Sequence, residues 1–182
     1  MSPFVSHFVA MAHNNAWANH RLLSACEALT AEEFAAPRQS FFPSLRATLN
    51  HILWVDLYYI DAVAGADALK RYDEPAPDFP DARSLRLAQT ASDRRLIAVC
   101  ERQTDASLVA DCILPRPNRK PPPSTTASVL EHLFQHQIHH RGQAHAMLSS
   151  TRIKPPQLDE FFLAGEEDLR REELRALGLP PR

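Results

Sequence analysis

A chain of 182 residues is long enough for one sizeable core, and 45% apolar residues is ordinary for a globular protein. Twenty Lys and Arg against 22 Asp and Glu leave a formal net charge of -2, without the basic surplus that phosphate contacts demand, so nucleic acid is not the expected partner. Cys26, Cys100 and Cys112 are odd in number and widely spaced, which speaks against a disulfide framework and fits a reducing cytoplasm.

Pro3 to Leu29 is the first predicted helix, with Pro tolerated in the opening turn and Phe4, Phe8, Met11, Asn15, Ala18 and Leu22 on one stripe. Thr30 to Phe34 reads as a short capped turn before a Pro37–Pro43 loop. A second helix is expected from Ser44, an N-cap, to Gly65, a C′ residue. It is apolar on nearly every side, which marks a helix buried by several neighbours. Its most apolar stretch, Ile52 to Ala64, is broken by Asp56 and Asp61 and is too short for a bilayer, and no basic-then-apolar leader opens the chain. Cytoplasmic location without a membrane partner is the expectation.

Arg71 to Pro80 is a Pro- and Asp-rich connection. A third helix follows from Asp81 or Ser84 to Thr104, with Leu85, Ala88, Ser92, Leu96 and Val99 inward. Prolines at 115, 117 and 121–123 forbid a continuous helix across 105–124, where Ser107 to Leu114 is expected to form a short strand and Arg116 to Lys120 a solvated basic loop. The fourth helix starts at a Ser124–Thr126 cap and runs to about Ser150. Short helical pieces near 157–163 and 166–177 complete a single domain across 1–182. Four long helices without a sheet define an all-α chain, a four-helix bundle.

Nine histidines are present, and five of them, His132, His136, His139, His140 and His145, crowd into fourteen positions or so of the fourth helix. At about 100° per residue, Val129, Leu133, His136, His140, Ala144 and Met147 share a stripe roughly 80° wide. His136 and His140 therefore stack one turn apart on the inward face, the spacing by which one helix grips a metal with two imidazoles. Two buried rings without partners would cost a few kcal/mol, and a metal that binds neutral ring nitrogens removes much of that cost. His51 is the natural third ligand, because it alone among the histidines lies inside the broadly buried second helix. His7, His13 and His20 are rivals on the first. His132 extends the row by a turn and cannot converge with the other two, so it belongs at the rim or behind a ligand.

Leu49-Asn50-His51-Ile52-Leu53, followed by His136-Gln137-Ile138-His139-His140-Arg141-Gly142-Gln143, resembles the paired signature of the DinB family. Asn14 to Asn19 is similar to that family's opening helix, and Pro155 to Asp159 to its closing segment. The resemblance implies an antiparallel four-helix bundle, a metal site of His51, His136 and His140, and a homodimer. It also implies a small-molecule substrate, with low-molecular-weight thiols among the options, since some relatives are thiol-dependent transferases and isomerases while many have no assigned reaction.

Three neutral nitrogens with an open position describe a catalytic site more than a structural one, and both Zn²⁺ and Ni²⁺ accept such ligands. Two readings stand: a metal-dependent transferase or hydrolase, and a non-catalytic, stress-associated protein with a structural metal. Around the ligands, Gln143 either lines the pocket or orients a ring, or is an ordinary polar helix residue. Asp56, about 140° round the helix from His51, is a structural hydrogen bond or a pocket edge. Asn15 is either a packing cap or a pocket donor. Trp54 and Tyr58 are either core or a substrate platform, Arg141 is either a helix–helix salt bridge or an anchor for an anionic substrate, and Gly142 marks a close helix approach or chance.

Overall fold

The computed structural model describes every residue except 117, 119 and 182. The basic loop expected at 116–120 therefore falls partly outside the described residues. Four long helices form the molecule: α1 (Pro3–Cys26), α3 (Leu45–Val63), α5 (Ala82–Glu101) and α7 (Thr126–Leu148). Between and after them lie α2 (Ala31–Ala35), α4 (Ala68–Asp73), α6 (Asp105–Val109) and α8 (Glu167–Leu177).

Capping chemistry sets the boundaries. Ser44, Asp81 and Thr125 each accept a backbone N–H from the first turn of α3, α5 and α7, and Thr30 with Glu33 closes a full capping box on α2. Gly65, with φ +71, follows the end of α3 as expected. Other details differ from the sequence reading. Phe4 lies in the first turn at the bundle's end, stacks on Phe8 at 5.5 Å and stays 40% exposed. The strand expected over 107–114 shrinks to β1 (Asp111–Cys112), paired antiparallel with β2 (Ser124–Thr125), because Thr104 caps α6 ahead of it. Residues 157–163 form no helix; Phe161 instead plugs into Trp17, ring centroids 5.5 Å apart.

Side-chain pairings give the helix directions. Ser2 meets Asp105, Asn15 and Asn19 meet Asp93, and Glu27 meets Arg86, so α1 and α5 are antiparallel. His51 faces His140, Asp56 meets Gln137 and Tyr59 stacks on His132, so α3 and α7 are antiparallel as well. Asp56 also meets Gln89 while Asp61 meets Arg95, which makes α3 and α5 parallel neighbours. A parallel pair requires the chain to travel back along roughly 28 Å of helix, at about 1.5 Å per residue. Residues 64–81 do this, held by Asp61–Arg71 at 3.0 Å, by Phe79 N–H donating to Asn50 at 2.7 Å, and by an Arg46–Asp78 ion pair.

The core has two apolar ends. One gathers Val5, Phe8, Val55, Ile60, Leu96, Leu130 and Phe134; the other gathers Leu22, Phe34, Leu45, Leu53, Leu85 and Leu148. Between them lies a closed circuit of buried polar groups. Arg141 Nη1 donates to the side-chain oxygens of Asn15, Asn19 (3.1 Å) and Gln137 (2.9 Å). Asn15 and Asn19 donate onward to Asp93 Oδ1, at 3.1 and 3.0 Å. Gln89 Nε2 bridges Asp93 Oδ1 (3.1 Å) and Asp56 Oδ2 (2.7 Å), and Gln137 returns from Asp56 to the arginine. Every long helix contributes at least one member.

Burial and the neighbouring Asp93 push the Asp56 carboxyl up to about 7, against the Gln89 and Gln137 donors and Arg141. Burial likewise raises Asp93 to about 6. An unfolded aspartate titrates near 4, so between about pH 4 and 7 the folded state holds a proton that the unfolded state has released, and stability falls as pH rises. Asp56→Asn removes the share of that dependence that Asp56 contributes and leaves the share of Asp93. In urea titrations at pH 5 and pH 8 the wild type is expected to lose roughly 2–3 kcal/mol relative to Asp56→Asn. A gap that does not change with pH shows that Asp56 is ionised in the folded protein.

Candidate metal centre

His51 lies in the second turn of α3, and His136 and His140 lie one turn apart in the middle of α7. The buried circuit aligns the two helices so that all three rings converge. His51 Nε2 and His136 Nε2 are 3.0 Å apart, and the ring centroids are separated by 5.0 Å (51–136), 4.9 Å (51–140) and 4.4 Å (136–140). One nitrogen from each ring falls within 4.8 Å of the others. Imidazoles sharing a zinc at 2.0–2.1 Å stand roughly 3.3 Å apart in a tetrahedral site, so little movement separates this arrangement from a ligand set.

Electrostatics favour the same state. Burial, with His140 adding to it, holds His51 down at about 4. Burial followed by His140, His51, His132 and His139 holds His136 at about 3. His140 is lowered too, chiefly by burial, with Gln143 opposing. Neutral imidazole is the form that ligates a metal. His140 Nδ1 and Gln143 Oε1 are 2.8 Å apart, while Gln143 Nε2 is 2.9 Å from His139 Nε2. The amide can satisfy both only if its N–H faces His139 and its oxygen accepts from His140 Nδ1–H. That tautomer leaves the Nε2 lone pair of His140 free. His136 Nδ1 is sealed from solvent and has no hydrogen-bond partner among the described residues, while its Nε2 faces His51 at 3.0 Å. The residues fit a divalent transition metal.

The remaining expected site residues separate cleanly. Gln143 orients a ligand ring. His132 is exposed and stacks on Tyr59 at 5.5 Å, away from the convergence point. Asp56 and Asn15 belong to the buried circuit and line no opening at the histidines. None of His7, His13 and His20 enters the cluster. Cys26, Cys100 and Cys112 are buried elsewhere, with Cys26 pushed up to about 12 by burial. Gly142 is not a close helix contact: a Cβ there would meet no atom within 4 Å.

Phe41 and Phe42 are site residues that helical periodicity does not reveal. Phe42 packs on His51 at 4.4 Å and on His140 at 5.5 Å, while Phe41 is 77% exposed beside it. Two adjacent aromatics in a Pro-bounded loop just ahead of the His51 helix were the available signal. Trp54, one turn beyond His51, has its ring 6.3 Å from the imidazole and stacks on Tyr58.

Fold and site together define a class: an all-α bundle with a three-histidine cluster between two antiparallel helices that could hold a metal ion. The DinB family model matches residues 1–172, and the chain belongs to that family. It is 28% identical over 143 residues to protein DinB of Bacillus subtilis, covering 74% of this chain and 80% of the relative. It is 26% identical over 131 residues to the uncharacterized protein YizA of the same organism, covering 71% and 79%. Solved DinB-like proteins share the fold: one from Bacillus subtilis (TM-score 0.57, 17% identity, 86% of this chain and 97% of that one) and one from Bacillus cereus (0.59, 16%, 78% and 90%).

Two outcomes check the site. In metal-free protein the His51 and His136 rings are expected to show no NMR titration between pH 5 and 8, since both values lie at about 4 or below; a midpoint near 6.5 in either refutes the neutral cluster. Replacing Gln143 with Leu frees the His140 ring, and metal affinity should fall by about 10-fold or more, as for other lost partners of metal-bound histidines. An unchanged dissociation constant shows that Gln143 does not orient the ligand.

Proposed function

We propose that His51, His136 and His140 hold a divalent transition metal, Zn²⁺ or Ni²⁺, and that the protein is a metal-dependent enzyme acting on small molecules, with transfer of a low-molecular-weight thiol as the leading reaction. One observation carries the reading: the cluster has three nitrogen donors among the described residues, and His51 and His136 are only partly buried. A structural site closes its coordination with four protein ligands, whereas a catalytic one keeps a position for water or substrate. Bound there, an ion supplies Lewis acidity, lowering the pKa of a protic group, thiol or water, that takes the open position.

The chain's own residues do the rest. Gln143 keeps His140 in the tautomer that presents Nε2. Phe42 covers two of the rings and limits the water that reaches them, while the exposed Phe41 and partly buried Trp54 offer an apolar rim to the body of a substrate. The competing reading, a stabilising ion without turnover, draws on the same three ligands. No helix among the described residues is long and apolar enough to cross a membrane.

Metal analysis of protein purified without a histidine tag is expected to find about one equivalent per chain, lost in His136→Ala. Loaded protein should then conjugate a physiological thiol to monochlorobimane, and His136→Ala should abolish it. Absence of bound metal overturns the site. Stoichiometric metal with no conjugation by any thiol overturns the transferase reading, and a large fall in melting temperature on chelation then assigns the ion to structure.

A further inference from the structure

A cavity lies on the face of α7 turned away from the histidines. It measures about 500 Å³, between α7, Asn14 of α1 and the segment 157–162, a size typical of small-molecule sites, which run from about 300 to 1,000 Å³. Ile138 and Phe162 give it apolar walls, and both are largely open to solvent, at 47% and 54% exposure. Arg141 also lines it, although the residue is only 5% exposed.

The arginine is half used. Its three hydrogen bonds to the buried circuit all leave from Nη1. Nε and Nη2 donate to no described acceptor, and neither is among the polar atoms closed off from solvent. That Nε/Nη2 edge is one of the two faces by which a guanidinium grips a carboxylate with parallel hydrogen bonds. A nearly buried cation with one edge unpartnered carries a free-energy cost, and the cavity is where a partner can reach it.

Gly142 is an independent sign. Glycine inside a helix costs about 1 kcal/mol relative to alanine. Here no positive φ requires it, and a Cβ would touch nothing within 4 Å. Neither backbone conformation nor packing within the chain accounts for the residue, yet it lines the cavity beside Arg141. Asp159 lies on the same rim and disfavours a multiply charged anion.

We propose that this cavity binds a small monocarboxylate with an apolar body, its carboxylate on the Nε/Nη2 edge of Arg141 and its hydrocarbon between Ile138 and Phe162, in the space that Gly142 leaves. The site is separate from the three histidines and does not depend on the reading given for them.

Hexanoate and hexan-1-ol are suitable probes, followed by NMR on the full-length protein through the Arg141 Nε–H signal and the backbone amides of Gly142 and Phe162. Hexanoate should move all three saturably, and hexan-1-ol should bind roughly tenfold more weakly or worse, the effect of a lost charge-assisted hydrogen bond. Gly142→Leu fills the cavity without removing any contact of the fold. It should weaken hexanoate by a similar factor while metal content at the histidines and melting temperature are retained. Equal binding of acid and alcohol, no saturable shift, or undiminished binding in Gly142→Leu overturns the proposal. So does a sedimentation result in which Gly142→Leu converts a dimer to a monomer, because the cavity is then covered by a second copy of the chain.

Discussion

The buried circuit joining Arg141, Asp93 and Asp56 is the constraint on which the rest of the molecule depends. Apolar packing at the two ends of the bundle is tolerant: a helix can slide or rotate slightly and still bury leucines. A buried carboxylate or guanidinium has no such latitude, because losing one partner costs a few kcal/mol and leaves a charge unpaired in the core. The circuit closes through Asn15 and Asn19 of α1, Asp56 of α3, Gln89 and Asp93 of α5, and Gln137 and Arg141 of α7. These hydrogen bonds tie the four helices to one another in a single register. That register sets His51 opposite His136 and His140.

Helix α7 carries three chemistries on three faces, which explains why its sequence is so polar for a central element. His136 and His140 point toward α3. Gln137 and Arg141, one residue on and about 100° round, point into the circuit. Ile138 and Gly142, one residue further, look outward to the cavity beside the C-terminal segment. The motif from 136 to 143 is thus three interleaved i, i+4 pairs, closed by Gln143, which ties His140 to His139.

Much of the molecule was legible in advance because its signals are local. The Ser44, Asp81 and Thr125 caps and the spacing of His136 and His140 depend on neighbours within a few residues. His51 was supported by burial and the family resemblance; its ring contacts with α7 are long-range. What escaped reading is non-local. Gln89, Asp93 and Gln137 are polar residues at inward positions, and no periodicity says that their partners lie on other helices. Arg141 reads as one half of a salt bridge, yet it reaches the aspartates through asparagine and glutamine side chains rather than directly. The parallel run of α3 and α5 follows from the return path of 64–81, whose length permits either direction. Phe42 sits in a loop, where helical patterning is silent, and in 157–163 a long-range contact of Phe161 with Trp17 stands where a local helix was expected.

The charge balance of the histidine cluster bears on what the site can do. Three neutral imidazoles contribute no negative charge, so a dication among them keeps both of its own. The buried carboxylates do not supply counter-charge by coordination, since among the described residues the cluster of ligand atoms that could share an ion consists of His51, His136 and His140 alone. Four-cysteine sites satisfy a zinc ion electrostatically from within the protein; this ligand set does not. Compensation for a bound dication would come from outside, as an anion or as a protic ligand that gives up its proton. Uncompensated charge of that kind is what a Lewis acid requires, and it is the electrostatic argument behind the proposed chemistry.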